Sequence, residues 1–201
     1  MMLLALTLVA YLIGSVSFAV VVSRVFALPD PRNYGSGNPG ATNVLRTGRR
    51  SAAALTLLGD VGKGCLAVFL ARNFADTGMI EVTESAAAVA VIVGHAYPVF
   101  YRFQGGKGVA TVLGVLAGIN LYLAGGAVAT WVIIAFFFRI SSLASLISAA
   151  FAPVFCYLLY GLHPFTAAVT AIALLIIYRH QANIRNLLAG KESRIGSSRS
   201  S

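Results

Sequence analysis

Three polar stretches stand out in an otherwise apolar chain, because their residue types are those that bind phosphate groups. They are Tyr34-Gly-Ser-Gly-Asn-Pro-Gly-Ala-Thr-Asn-Val-Leu-Arg46, Gly105-Gly-Lys-Gly108 and Arg179-His-Gln-Ala-Asn-Ile-Arg185. Glycine lets the backbone approach a ligand closely, Ser and Asn add hydrogen-bonding groups, and Arg and Lys supply positive charge. If all three stretches face the same side of a membrane, they can form one site for an anionic substrate.

The first stretch predicts a short helix whose N-terminus faces an anion. Asn38 is a typical N-cap and Pro39 a typical first helical residue, so we expect a helix over Gly40–Thr47. The free N–H groups of such an end suit a phosphate, Ser36 adds a hydroxyl, and Arg46 can bind two phosphate oxygens. The alternative is an interfacial turn with a snorkelling arginine. The density of Gly, Ser and Asn favours the functional interpretation.

The second stretch directly precedes another apolar run, so we expect a helix N-terminus there, with Lys107 as a compact positive charge. A Walker A motif is excluded, because it needs Gly five residues before the Gly-Lys pair and Ser or Thr after it. Those positions are Tyr101 and Gly108. A plain loop that carries a charge for membrane orientation is the alternative.

Two histidines are candidates for proton transfer. His95 lies near the end of an apolar run, and His180 lies three residues before Asn183. We expect His180 and Asn183 to share one face of the helix that emerges from the last apolar run. A lone interfacial histidine is more often structural, whereas two beside cationic loops make a catalytic role about equally favoured. His163 falls in a loop on the opposite side, and we assign it no role.

Asp60 and Lys63 lie three residues apart inside an apolar run and therefore share a helix face. Charges inside a membrane are costly and are candidates for function. A structural ion pair that fixes this helix against the site is a comparable alternative.

The composition indicates a membrane protein that crosses the bilayer several times. The chain has 201 residues, of which 58% are hydrophobic and 10% charged, and its mean hydropathy is +0.84. We therefore expect one all-helical membrane domain over residues 1–192, followed by a Ser-rich tail over 193–201 that is disordered or foreign to the fold. The net charge of +9 suits an anionic membrane face and anionic substrates.

The apolar runs lie near 3–23, 52–71, 84–100, 109–122, 125–138, 143–160 and 164–178. If the region 109–138 breaks near Gly125-Gly126 into two short helices, the basic residues fall almost entirely on one side. The other side then receives Arg72, and Lys63 lies within a span. The positive-inside rule therefore predicts seven transmembrane helices, with the N-terminus outside, the C-terminus in the cytoplasm and all three polar stretches cytoplasmic.

The sequence predicts neither a metal site nor a cofactor. On the expected cytoplasmic face the carboxylates are Asp30 and Glu192, too few for a Mg²⁺ cluster, and no Cys/His spacing is typical of zinc. Cys65 and Cys156 are expected to pack as small core residues. No Ser-His-Asp or Cys-His pattern is visible, so we expect no acyl-enzyme.

Five blocks of this sequence resemble the bacterial acyl-phosphate:glycerol-3-phosphate acyltransferases, the PlsY family, over nearly the whole chain. The blocks are Gly35 to Arg46, Asp60-Val-Gly-Lys-Gly64, Gly94-His-Ala-Tyr-Pro98 continuing to Thr111, Arg139 to Ser145, and Arg179 to Asn183 with Gly190-Lys-Glu192. The resemblance implies transfer of a fatty acyl group from acyl phosphate to glycerol 3-phosphate in the bacterial inner membrane. The products would be lysophosphatidic acid and phosphate, in the first acylation of phospholipid synthesis.

Residues and resemblance together give the predicted site. The residues expected to act in the reaction are Ser36, Arg46, Lys107, His180 and Asn183. The residues expected to bind substrate phosphates are Gly35, Gly37, Asn38, Gly40, Thr42, Asn43, His95, Gly105, Gly106, Gly108, Thr111, Ser142 and Arg185. The hydroxyl proton goes either to a histidine or to a substrate phosphate, and the sequence leaves that choice open.

The expected partners are the two substrates and membrane lipid, without nucleic acid. The oligomeric state is left open and a monomer is compatible with the sequence. The main alternative function is a transporter for an organic phosphate, since helix N-termini that face anions also occur in transporters. A lipid-binding protein without catalysis is the least favoured alternative, because Gly, Asn and Arg are concentrated in the loops.

Overall fold

A computed structural model describes residues 1–196, and the regular secondary structure of this part of the chain is helical, without strands. The Ser-rich tail is described as far as Gly196, and its remainder lies outside the described residues. The helices are α1 (Met2–Ser15), α2 (Phe18–Val25), α3 (Ala41–Val44), α4 (Arg50–Phe74), α5 (Ile80–Ala96), α6 (Val109–Ile119), α7 (Leu121–Phe138), α8 (Ser141–Tyr160), α9 (Pro164–Arg179) and α10 (Gln181–Leu188). The predicted all-helical fold is confirmed.

Several of these helices have the length and hydropathy of membrane spans. In the described residues, four are long and apolar enough: α4, α5 with the short helical turn after it, α7 and α8. Two bent pairs, α1 with α2 at 41° and α9 with α10 at 60°, raise the number to six. α6 has 11 residues and covers about 16 Å, roughly half of a hydrocarbon core.

The region 109–138 divides into two helices as predicted, but the predicted position of the break is wrong. The chain breaks at Asn120, whose backbone is extended and whose Oδ1 accepts a hydrogen bond from the N–H of Tyr122 at 2.8 Å. Asn is a favoured N-cap, so it starts α7 there. Gly125 and Gly126 lie inside α7, and Gly126 leaves room for the ring of Phe155 on α8.

Small residues let the helices of the core approach closely. Gly14 on α1 lies against the Val91 carbonyl of α5, and Gly94 on α5 lies against the Tyr11 carbonyl of α1, so a Cβ at either glycine would collide with backbone. Close approach through small residues is the usual packing mode of helices in membranes. α1 and α5 are thereby closely packed, and α5 ends at the polar stretches.

The polar stretches meet at one end of the bundle. Arg179, the last residue of α9, bonds to the carbonyl groups of Gly105 and Gly106, and Arg46 bonds to Ser193. The opposite end carries a different cluster, in which the exposed Arg72 forms two hydrogen bonds to the buried Glu84. Each end thus has its own set of polar contacts, and the predicted site residues belong to one end.

Candidate active site

The loop before α3 is shaped by one buried amide, that of Asn43. Its Oδ1 accepts from the N–H of Ser36 at 3.0 Å, and its Nδ2 donates to the carbonyls of Pro31 at 2.7 Å and Tyr34 at 3.2 Å. Gly35 has φ +61°, in the region that favours glycine. The amide of Asn43 is thus occupied by the loop, and this residue positions Ser36.

The predicted cap of the short helix is wrong. Asn38 and Pro39 precede the helix, Gly40 is its N-cap, and α3 covers Ala41–Val44 before a single 3₁₀ turn, Leu45–Thr47. The Asn38 N–H lies 3.4 Å from the hydroxyl of Ser36, so this segment forms a side-chain-stabilised turn before the helix, where a helix cap was expected.

Arg46 lies beside the turn and is exposed. Its side chain passes within 3.1 Å of the position that a Cβ on Gly35 would occupy, so glycine leaves space for it. Its Nη2 donates to the hydroxyl of Ser193 at 3.3 Å. The guanidinium therefore lies between the glycine turn and residue 193, which the sequence had assigned to the tail. Thr42, one of the predicted binding residues, is exposed on α3.

The second glycine stretch is held in place by Arg179, which the sequence analysis did not assign to the site. Its Nε donates to the carbonyl of Gly106 at 3.2 Å, its Nη2 donates to that of Gly105 at 2.9 Å, and its guanidinium stacks on Tyr97 at 5.1 Å. A glycine-rich loop has no side chains to stabilise it, and these bonds supply that stability. The feature of the sequence that could have indicated this role is the position of Arg179 at the start of the third polar stretch.

Lys107 projects from this loop toward α10. Gly108, with φ +88°, is the N-cap of α6, so the predicted helix start after the loop is confirmed. The Nζ atom of Lys107 donates to Oδ1 of Asn183 at 2.5 Å. Burial lowers the pKa of Lys107; the positive charges of Arg179 and Arg46 act in the same direction, and Glu192 opposes them. Lys107 therefore combines a charge with partial desolvation, which strengthens its attraction for an anion.

A carboxylate that the sequence analysis left unassigned orients Asn183. Oε1 of Glu192 accepts from Nδ2 of Asn183 at 2.7 Å and from the hydroxyl of Ser142, at the start of α8, also at 2.7 Å. Because a carboxylate only accepts, it fixes which end of the amide faces Lys107. Ser142 was expected to bind phosphate, but its hydroxyl is occupied by Glu192.

His180 lies at the bend between α9 and α10, where a continuous helix was expected. Its side chain is buried, and Nδ1 lies 2.7 Å from the carbonyl of Ile176, which makes Nδ1 the protonated nitrogen and Nε2 an acceptor. Burial lowers the pKa of His180 to about 4. The imidazole is therefore neutral at neutral pH. Arg185 follows on the exposed surface of α10.

The contacts close into a ring. Arg46, beside the turn of Ser36, bonds to Ser193. Glu192, the chain neighbour of Ser193, accepts a hydrogen bond from Asn183, and Asn183 accepts one from Lys107. The ring closes because Gly106, next to Lys107, packs against the carbonyl of Pro39, which lies 3.1 Å from the position of a Cβ on Gly106. His95 and Thr111 lie beneath the Gly106 side of the ring, with Nδ1 and Oγ1 3.3 Å apart. Four of the residues predicted to react, Ser36, Arg46, Lys107 and Asn183, thus belong to one assembly.

Within the described residues, no three His, Cys, Asp or Glu side chains are grouped as they would be around a metal ion. The ring contains two cationic side chains, Arg46 and Lys107, and one carboxylate, that of Glu192. Arg179 adds a third positive charge beside the glycine loop, and backbone N–H groups lie at the start of α6. Such a set of groups fits a multiply charged anion such as a phosphate ester.

Comparison with known proteins identifies the family of this chain. A family model described as glycerol-3-phosphate acyltransferase matches residues 4–190. A glycerol-3-phosphate acyltransferase of Burkholderia vietnamiensis is 59% identical over 198 residues, covering 98% of this chain and 92% of the relative. One of Cupriavidus pinatubonensis is 60% identical over 194 residues, covering 96% of each chain.

Two solved structures share the fold. Crystal structures of PlsY, an integral membrane glycerol 3-phosphate acyltransferase, match with TM-scores of 0.90 for the glycerol 3-phosphate form and 0.89 for the lysophosphatidic acid form. Sequence identity is 36% and 35%, and the matches cover 96% of this chain and 96% and 95% of those chains.

The fold defines a helical integral membrane protein, and cationic and amide side chains are gathered at one end of its bundle. Within that class, the chain belongs to the glycerol-3-phosphate acyltransferase family. The resemblance inferred from the five sequence blocks is therefore confirmed.

Proposed function

We propose that this protein transfers a fatty acyl group from acyl phosphate to glycerol 3-phosphate, giving lysophosphatidic acid and inorganic phosphate. The observation that carries the proposal is the ring that joins Arg46 and Lys107 in a chain of this family. Both substrates bear phosphate, so a site for this reaction needs cationic groups and backbone donors on more than one side. The glycerol 3-phosphate and lysophosphatidic acid forms of PlsY support the acceptor and the product.

In the proposed reaction a glycerol hydroxyl attacks the acyl carbonyl directly. The new ester C–O bond forms, the C–O bond to phosphate breaks, and phosphate leaves with the bonding electrons. Phosphate is a good leaving group, so positioning and charge stabilisation supply most of the rate. Ser36, Arg46 and Lys107 hold the two phosphates, and Asn183 orients Lys107.

The hydroxyl proton goes to a substrate phosphate in this proposal. A phosphate with a second pKa of about 6 is a better base at neutral pH than an imidazole whose pKa is lowered to about 4. Nε2 of His180 is then an acceptor that orients the attacking hydroxyl. No acyl-enzyme forms, and trapping of an acyl group on any Ser or Cys would contradict this mechanism.

The proposed site faces the cytoplasm of a bacterial cell, in the inner membrane, within a single domain over residues 1–192. α1–α2, α4, α5, α6, α7, α8 and α9 would be the seven spans, with the N-terminus outside. Two observations support this orientation: Arg139 lies at the same end as Ser193 and Ile195, and Arg72 lies with Glu84 at the other. The basic residues of the site then obey the positive-inside rule.

The decisive experiment supplies purified protein in detergent or lipid with acyl phosphate and labelled glycerol 3-phosphate, without divalent metal. We expect labelled lysophosphatidic acid from the wild type and none from Lys107→Ala. Product with acyl-CoA but not with acyl phosphate would support glycerol 3-phosphate as the acyl acceptor and refute acyl phosphate as the acyl donor. Movement of labelled glycerol 3-phosphate into sealed vesicles, without new lipid, would establish a transporter instead.

A further inference from the structure

Lys63 connects α4 with the bend between α1 and α2. Its side chain is buried, and Nζ donates to the carbonyls of Gly14 at 3.1 Å and Val16 at 2.9 Å. A break in a helix exposes carbonyl groups that need donors. The ammonium group supplies two such bonds in the interior, which fixes the bend relative to α4.

Asp60 lies between this lysine and His95. Its Oδ1 is 3.0 Å from Nζ of Lys63 and 3.7 Å from Nδ1 of His95, and all three side chains are buried. No donor in the described part of the chain meets Oδ1 with hydrogen-bond geometry. The hydroxyl of Thr111 lies 3.3 Å from the same Nδ1. Oδ1 of Asp60 is beyond hydrogen-bond distance of Nδ1, so it acts on the ring through its negative charge. That charge favours the His95 tautomer that carries its proton on Nδ1, with the Thr111 hydroxyl as the acceptor.

His95 in turn supports the loop that carries Lys107. The N–H of Gly106 donates to the carbonyl of His95 at 3.0 Å. A Cβ on Gly106 would collide with Nε2 of the imidazole, and one on Gly108 would lie 3.9 Å from its Cδ2. The orientation of the ring therefore determines the path of the loop above it.

We propose that Asp60 and Lys63 are positioning residues for the anion site. The pair holds His95 in one orientation and one tautomer, and His95 holds the Gly105–Gly108 loop so that Lys107 meets the substrate phosphate. The expected effect of this pair on enzyme kinetics rests on the function proposed above. Its structural consequence, the state of His95, does not depend on turnover.

The chain offers a matched control at the opposite end of the bundle. Glu84, like Asp60, is a buried carboxylate paired with a basic residue, since Arg72 binds it at 2.7 Å and 2.9 Å. Asp60→Asn and Glu84→Gln each replace one buried carboxylate by the amide of the same shape. Both changes weaken the ion pair of a buried carboxylate, but only the first touches the contacts of His95.

The experiment compares the two variants by thermal unfolding, by steady-state kinetics and by ¹⁵N NMR of histidine-labelled protein. Asp60→Asn is expected to raise the KM for glycerol 3-phosphate about tenfold, because misplacement of a binding group by a fraction of an ångström is costly. It is also expected to shift the His95 ring nitrogens away from the Nδ1-protonated pattern. Glu84→Gln is expected to lower the unfolding temperature and leave KM and the His95 spectrum unchanged.

An Asp60→Asn protein with wild-type KM and a wild-type His95 spectrum would overturn the proposal, as would a Glu84→Gln protein with an equal rise in KM. If Asp60→Asn does not fold, Lys63→Gln decides, because it removes the charge that pairs with Asp60 at 3.0 Å and must then change both readouts. A wild type without acyl transfer refutes the proposed function, and the His95 spectrum still tests whether Asp60 and Lys63 hold His95 in one state.

Discussion

The Oδ1 atom of Asn183 accepts a hydrogen bond from Nζ of Lys107 at 2.5 Å, and the other end of the same amide donates to Glu192 at 2.7 Å. The amide is thus oriented by the carboxylate, and the ammonium group is oriented by the amide. One of the three protons on Nζ is used by Asn183, so the remaining two can bind a phosphate.

Asn183→Ala should therefore lower kcat/KM for glycerol 3-phosphate by about 10²-fold, because Lys107 loses the group that orients it. The measurement is steady-state kinetics at saturating acyl phosphate. Asn186→Ala is the matched control, since Asn186 is exposed on the same helix. Equal activities of the two variants would contradict the assigned role of Asn183.

The charge on Lys107 predicts how activity depends on pH. The protonated form binds phosphate, and burial lowers its pKa from the ordinary lysine value of 10.5, so activity should fall as pH rises, beginning below pH 10.5. The pH profile of kcat/KM reports this group in the free enzyme. Lys107→Arg should shift that alkaline limb upward if it retains activity, because a guanidinium stays charged in this range.

The control for this profile is Lys191→Arg, because Lys191 is an exposed lysine near the site. It should leave the alkaline limb in place, and blanks without enzyme correct for chemical hydrolysis of acyl phosphate. A limb that is unchanged in an active Lys107→Arg protein would show that another group controls it.

Sequence reasoning predicted the helical membrane fold and the residues around the ring because both depend on local patterns. Lys107 and the start of α6 could be predicted from glycines directly before an apolar run. The break at Asn120 was missed because Gly125-Gly126 is a stronger general signal for a break than a single Asn cap. In the structure, both glycines are accommodated inside α7 and Gly126 packs on Phe155.

The contacts that orient the site were harder to predict because they join distant parts of the chain. Ser142 and Glu192 are 50 residues apart, and Arg179 and Gly105 are 74 apart. A sequence reveals that Ser142 and Arg179 are polar residues near apolar runs. It does not reveal that Ser142 binds the carboxylate of Glu192 or that Arg179 binds the glycine loop.

Arg179 should act on binding through the loop that it supports. Arg179→Lys keeps the charge but loses the paired bonds to the carbonyls of Gly105 and Gly106. The expected result is a KM for glycerol 3-phosphate raised about tenfold with a smaller change in kcat, as when ground-state binding is weakened. Arg102→Lys, at an exposed position, should be neutral; a neutral Arg179→Lys would show that the loop does not need this support.

Arg46 provides the clearest test of the first polar stretch. Arg46→Ala should reduce turnover by about 10³-fold or more, because one cationic group for a doubly charged phosphate is lost from the site. Its fold should be intact, since the side chain is exposed and its described hydrogen bond is to Ser193. The measurement combines lysophosphatidic acid formation with thermal unfolding followed by the fluorescence of Trp131. Arg49→Ala, exposed three residues later, is the control and should retain activity. Near-wild-type turnover in Arg46→Ala would remove Arg46, and with it the glycine turn, from the proposed site.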